Sequence, residues 1–490
     1  MPPRFVRPLL AAAARALLAC VLAAVFGALP RALAAQAAAA DSMLTVVELR
    51  ADFDTLRRAL EEAHGGFDRW ASRAEVGRRL DVHRARLDRP MSRLEAAGML
   101  AEAIAELRDG HARLELDSAT AAALAGARVL PLRVAFEGDR LMVLANDAPG
   151  DSTIRPGMEL VRIDGRDVRA LVATLSPRVP RDGFIETGRR ERLARGFAQQ
   201  LWLYGAQGDS YRVEARDAAG RVVRATLPGI LERDRPGSAE PTSRPNITLD
   251  AGDGSSVGVL RVRAFQGARF PAILDSAFGV LRERGARSLV LDLRGNGGGV
   301  DEYGALLVSH LTDRRFRYFD RIRLMTVAPS FATWLPRTFE SMRTGTTRDP
   351  SGDGFLVTEA LHSGVGEQRP APHPFLGRLV VLIDGASFST TADVAAQLRS
   401  WGRATFVGEE TGGTYEGNTS GLNALVVLPH SRLRLKVMMY GYWNAVRTPA
   451  RRGRGTLPDV VVAPRVADLL RGDDPALARA LALARRPRAD

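Results

Sequence analysis

Two short, almost continuous apolar runs set the frame for this chain. They are Ser288-Leu289-Val290-Leu291-Asp292-Leu293 and Leu379-Val380-Val381-Leu382-Ile383. A strand with one wet face alternates polar and apolar residues. A run that does not alternate is covered on both faces, as in the parallel sheet of an α/β domain. Helical patterns over residues 271–284 and 391–401 and further strands over 257–262 and 404–407 complete an alternation of strand and helix. That alternation predicts an α/β core over residues 247–465.

The chain has 490 residues, too many for one ordinary domain. Upstream of the core, Leu44, Val47, Leu49, Phe53, Leu56 and Leu60 recur at helical spacing, and Leu94, Met99, Leu100, Ile104 and Leu107 form a second apolar face. Residues 41–125 therefore read as a helical domain that ends in Arg108-Asp109-Gly110-His111 and a short alternating stretch. Residues 126–231 turn to strands, with a hairpin signal at Glu137-Gly138-Asp139. A helical stretch over 182–206 interrupts them. Residues 232–246, rich in Pro, Ser and Arg, read as a linker, and 466–490 as a terminal helix or tail.

Arg4, Arg7 and Arg15 precede an apolar run over 16–29 and the small residues Ala32-Leu33-Ala34-Ala35. This is the order of a secretory signal peptide, cleaved most simply after Ala34, and it predicts an exported, periplasmic or extracellular protein. The run is short for a membrane span. Leu17-Leu18-Ala19-Cys20 has lipobox-like residues, but apolar residues continue beyond it. Cys20 is the one cysteine, so a chain cut after Ala34 has no disulfide, thiolate metal site or cysteine nucleophile. The formal net charge is +13, and all but one of the 69 basic residues are arginine, the exception being Lys436. The arginines are scattered among 56 acids with no aromatic-flanked basic stripe, which speaks against nucleic acid. Weak contact with an anionic membrane surface stays open.

Two segments can carry chemistry. Asp292-Leu293-Arg294-Gly295-Asn296-Gly297-Gly298-Gly299 ends a buried strand, and its glycines free backbone amides to face a ligand. It has neither nucleotide-loop spacing, so an oxyanion hole is the better functional reading, with a tight structural turn as the alternative. Asp384-Gly385-Ala386-Ser387-Phe388-Ser389-Thr390-Thr391 leads from a strand into a helix, where unpaired amides favour developing negative charge. Taken alone, a serine there is an ordinary N-cap.

Together these segments resemble the C-terminal-processing (tail-specific) serine peptidases. The resemblance spans roughly residues 45–465. It rests on Asp109-Gly110-His111, on the string from Pro156-Gly157 to Asp164-Gly165, which is similar to the core of a PDZ domain, and on the stretches 289–299 and 380–413. It implies a multidomain α/β protein with a Clp/crotonase-like protease core, an N-terminal helical domain and an interrupted PDZ-like β-domain. By register against Gly402-Arg403 and Val407-Gly408-Glu409, it places the nucleophile at Ser389 rather than Ser387.

Many relatives pair this serine with a lysine after the "VGE" element, where this chain has Thr411-Gly412-Gly413-Thr414-Tyr415-Glu416-Gly417. Lys436 alternates with Arg432 and Arg434 in a strand pattern and is expected to face solvent. The tricorn-like branch uses a histidine from the N-terminal region instead, and His111 matches that position. His64 at a helix end, His373 between prolines and His430 in a turn make weaker candidates. For the carboxylate that orients the imidazole, Asp109 is near in sequence, while the resemblance favours Glu409. Asp459 resembles a structural motif of the family. Gly295, Gly297, Gly298 and Thr390 are the expected oxyanion donors.

The function implied is hydrolysis of peptides or proteins through an acyl-enzyme, with no cofactor and no metal. The rival is a peptide-binding scaffold without activity, motivated by the missing lysine. A crotonase-like acyl-CoA enzyme fits the core, but not an export signal.

Overall fold

A computed structural model describes residues 43–236, 245–251, 256–331 and 339–486. The segment read as a signal peptide, with Cys20, lies outside them, as does most of the segment read as a linker. No helix among the described residues is long and apolar enough to cross a membrane.

The two apolar runs form neighbouring strands, Ser288–Asp292 and Arg378–Ile383, paired in parallel with Leu289 opposite Leu379. Among the described residues their sheet has six strands. Ile247–Asp250 is the antiparallel edge, followed by Val257–Val262, the two runs, Thr405–Gly408 and Val460–Val461, all parallel. Both faces are covered, which is why these strands do not alternate. The helices Phe270–Glu283 and Thr390–Ser400 contribute to one buried cluster. On the other face Val290, Val380, Leu382 and Val407 meet Ala476, Ala480 and Ala484.

Of the two readings of residues 466–490, terminal helix or tail, the structure has the helix over the described part. Val466–Arg471 and Pro475–Ala484 are helices, and the second packs on the sheet. Spacing of four residues keeps its alanines on one face, and their small size lets the helix lie close. Asp474 caps it by accepting from the amide of Leu477 and also holds Arg294, which grips Asp292 at the end of the strand Ser288–Asp292.

The N-terminal helices are not a separate body. Val46–Ala63, opened by a capping box of Thr45 and Glu48, buries Leu49, Phe53, Leu56 and Leu60 in the same cluster as Leu291, Phe319, Val437 and Tyr442 of the core. The alternating stretch before residue 116 becomes the strand Arg113–Glu115, which pairs with Arg434–Asn444 of a second sheet in the core. Leu114 faces Leu435 in that register. The helical domain read over residues 41–125 thus shares its buried cluster with the α/β core, which covers its apolar face.

The inserted β-domain does have its own core. Its strands Leu132–Glu137, Arg140–Asn146, Glu159–Ile163, Ser210–Arg216 and Val222–Pro228 form an antiparallel sheet with Leu132–Glu137 at one edge. The helices Val168–Leu175, Thr187–Arg195 and Phe197–Tyr204 bury Leu171, Leu193, Phe197 and Leu201 against it. The helical stretch thus lies between the strands in chain order and packs on their sheet.

Candidate active site

Both chemistry-bearing loops leave the carboxyl ends of adjacent parallel strands, where open α/β sheets place their ligands. The glycine loop follows Ser288–Asp292, and the serine turn follows Arg378–Ile383. They are stitched together. The amide of Phe388 donates to the carbonyl of Asn296 at 3.1 Å, and Thr390 Oγ1 donates to the carbonyl of Gly299 at 2.9 Å. Asn296 is fully buried and uses its side chain twice, donating to Val262 and accepting from the amide of Gly298. At Gly298, with φ +104°, a Cβ would lie 2.7 Å from Cβ of Ser389, so only glycine permits this approach.

The two serines of the turn separate cleanly. Ser387 is fully buried, and its hydroxyl is spent on the carbonyl of Leu293 at 2.9 Å and on Asp384. Ser389 sits at φ 56°, ψ −133° just before the helix Thr390–Ser400 and makes no capping bond with its side chain. A non-glycine residue held there stores about 1–3 kcal/mol of strain. Its hydroxyl is thereby turned away from the helix amides. The backbone instead anchors the turn: the carbonyl of Ser389 accepts from the amides of Ala392 and Asp393.

His111 comes to this hydroxyl from 278 residues away, with Nε2 at 3.2 Å from Ser389 Oγ. Its ring lies over Phe388, centroids 4.4 Å apart, and Arg192 covers Phe388 in turn. The preceding residue must be small, because a Cβ at Gly110 would meet both Arg192 and Phe388 at 2.8 Å. Burial pushes the imidazole down to about 4, outweighing the pull of Asp109. An ordinary ionisation near 6.5 is the expectation for an exposed histidine, and the desolvated site replaces it.

Asp109 anchors the turn below His111. It accepts from the amide of His111 at 2.7 Å, from His64 Nε2 at 2.7 Å and from the hydroxyl of Thr419. Burial raises its carboxyl, but these bonds and the two histidines outweigh burial and hold it well below the usual range. His64 is both the end residue of the helix Val46–Ala63 and this buried partner. Its Nδ1 accepts from the amide of Gly66, which leaves Nε2 to donate. Sequence spacing shows the first role and hides the second. Asp182 is hidden as well: it comes from the β-domain and accepts from the amide of Gly110 at 2.5 Å.

Glu409 is not brought to His111. It is half-buried in a cleft of about 1450 Å³ beside Asp384, Gly385 and Glu191, and burial followed by those two acids raises its carboxyl. Lys436 pairs across strands with Leu425 and Arg113 and is half-buried rather than fully solvated. Burial and Arg113 lower its ionisation. Asp459 holds Arg399 and the amide of Phe406, a structural role. Of the expected oxyanion donors, two amides are already committed, Gly295 to Asp384 and Gly298 to Asn296. Among the described residues the amides of Gly297 and Thr390 have no acceptor.

Residues 256–462 match the model of peptidase family S41. The structure is similar to mature CPAF complexed with lactacystin, at 14% identity and a TM-score of 0.62, over 87% of this chain and 95% of that one. It is likewise similar to uncomplexed mature CPAF, at 15% identity and a TM-score of 0.59, over 87% of this chain and 94% of that one. At these identities the likeness concerns the fold. No curated protein matches the chain in sequence. Residues 256–462 thus match peptidase family S41, and the mixed α/β, multidomain fold is that of the solved neighbours, in keeping with the resemblance to tail-specific peptidases.

Proposed function

We propose that this protein is an exported serine-type peptidase that cleaves peptide bonds through an acyl-enzyme on Ser389, with His111 as general base. The observation that carries the proposal is the 3.2 Å approach of His111 Nε2 to Ser389 Oγ. It falls at the edge of hydrogen-bond reach, as free sites commonly do. With its ionisation lowered to about 4, the imidazole is neutral at physiological pH and can accept the hydroxyl proton.

The serine oxygen then attacks the scissile carbonyl carbon, and the C=O π pair moves to the carbonyl oxygen. The uncommitted amides of Thr390 and Gly297 face the growing charge, helped by the start of the helix Thr390–Ser400. Collapse breaks the C–N bond as His111 Nε2–H protonates the leaving amine. Water, deprotonated by the same nitrogen, releases the acyl group. In this scheme Gly295 and Gly298 shape the loop rather than donate.

Ser389 and His111 are joined here without a lysine. Lys436→Met is therefore expected to keep kcat/KM within about threefold of the wild type. A folded Lys436→Met protein that loses about a thousandfold, the scale of a removed catalytic partner, would restore a serine–lysine scheme.

The β-domain, with its PDZ-like turns and Leu132–Glu137 as an edge strand among the described residues, suits an extended peptide. Export rests on the order of charges, apolar run and small residues before Ala35. The test is to recover the protein from the exported fraction of an expressing cell and incubate it with an unstructured polypeptide. Fragments whose formation a serine-directed reagent blocks support the reading. A folded protein that yields none would favour the peptide-binding scaffold.

A further inference from the structure

We infer that Asp182, delivered by the inserted β-domain, is the carboxylate that receives the Nδ1–H of His111 and so positions the general base. The inference rests on the Ser389–His111 reading and deepens it.

A neutral imidazole that takes a proton at Nε2 must carry its own proton on Nδ1, and that N–H needs an acceptor. Nδ1 of His111 is buried and has no partner. Asp109 is the nearer acid in sequence, but its Oδ1 stands 3.8 Å from Nδ1, beyond hydrogen-bond range, and already serves the amide of His111. Its other oxygen is taken by His64 and Thr419.

Asp182 is the opposite case. It is 3% exposed, one oxygen holds the amide of Gly110, and the other, Oδ2, is buried without a partner. A ring nitrogen of His111 and one oxygen from each aspartate lie within 4.8 Å of one another. The cluster therefore holds an orphaned donor and an orphaned acceptor. One bridging water, which spans about 4.5 Å, would join them. Arg69 and Arg192 give the two carboxylates their counter-charge, which disfavours a metal ion in their place.

The route by which Asp182 arrives gives the contact a consequence. The next residue, Gly183, donates its amide to the carbonyl of Arg108 at 2.9 Å. Phe184 donates to the carbonyl of Gly453, and Thr187 Oγ1 to the carbonyl of Glu410 at 2.9 Å. This strap of the β-domain is thus tied to the His111 turn at one end and to the loop after Glu409 at the other. A shift of the β-domain moves the carboxylate, and the base loses its orientation.

The groups that face Asp182 are Asp109, His111, Arg69 and Arg192, with Asp393 adding its charge from the helix Thr390–Ser400. Burial and the charge of Asp109 push the Asp182 carboxyl up to about 7, outweighing the arginines. Below that pH it is protonated, a weaker acceptor without the charge that holds the imidazole proton. Above it, the carboxylate draws the imidazole proton to Nδ1. Activity should accordingly rise through about pH 7, although His111 itself is neutral well below that.

The experiment compares wild type, Asp182→Asn and Asp182→Glu, each checked for folding by circular dichroism. Asp182→Asn should lower kcat by about a hundredfold or more with little change in KM, and should abolish the rise near pH 7. Asp182→Glu should keep the rise. A merely structural aspartate would lower the folded fraction and leave the midpoint in place.

A readout independent of turnover is the ¹⁵N shift of the His111 ring in a Ser389→Ala background. The Nδ1–H form is expected above about pH 7 with the native aspartate and is lost in Asp182→Asn. A folded Asp182→Asn enzyme with wild-type kcat and midpoint overturns the inference, as does an unchanged His111 tautomer. If no variant hydrolyses peptide, the proposed function fails on its own, and the ring shift still decides the role of Asp182.

Discussion

Ser389→Ala is expected to lower kcat by about 10⁴- to 10⁶-fold while the protein stays folded, and Ser387→Ala is expected to keep most of the activity. The difference comes from where each hydroxyl is spent. Ser387 Oγ bonds the carbonyl of Leu293 and Asp384 inside the turn, so its loss costs about 1–2 kcal/mol of stability and leaves the reacting atoms in place. Ser389 Oγ bonds only the imidazole, and its backbone sits where a side chain is strained. Removing that hydroxyl removes the nucleophile. Steady-state hydrolysis of a fluorogenic peptide, with a thermal melt as control, checks both. An inactive but folded Ser387→Ala beside an active Ser389→Ala would reverse the assignment.

The second large effect is that of His111→Ala, expected to lower kcat by about 10³- to 10⁶-fold. A serine hydroxyl has no other base within reach among the described hydrogen bonds, and His64 is turned toward Asp109. Because Ser389 and His111 act as one unit, the double variant should be scarcely worse than either single one. The stability cost should be small, since the ring contributes mainly its stack on Phe388 and one bond. Single-turnover kinetics on the four proteins of this cycle give the coupling directly. Additive losses would mean that the two residues act independently.

Much of this arrangement is legible in the sequence because it is local. Continuous apolar runs announce strands covered on both faces, and the observed strands Ser288–Asp292 and Arg378–Ile383 fall on them. The register of Ser389 and the place of His111 in Asp109-Gly110-His111 follow from motif and spacing. What spacing cannot carry is contact between distant segments. The short alternation before residue 116 looks like part of a helical domain, yet it pairs with Arg434–Asn444 because its Leu114 needs the cover of Leu435. The alanines after Asp474 leave terminal helix and tail undecided until the sheet beneath them is seen.

Glu409 is favoured by the resemblance, but it lies in the cleft with Asp384 and Glu191. Asp182 gives no sequence signal at all. It opens the stretch read as helical over 182–206, and only the fold sets it beside His111. His64 and Thr419, which flank Asp109, are likewise brought in from separate segments.

The most direct measurement of the central claim is covalent trapping. Purified protein is treated with a fluorophosphonate, digested, and the modified peptide located by mass spectrometry. The Ser389–His111 assignment predicts one adduct, on Ser389, formed at a normal rate in Lys436→Met, slowed by about a thousandfold or more in His111→Ala and absent in Ser389→Ala. An adduct on another residue, or labelling that survives loss of His111 and vanishes with Lys436, would contradict it.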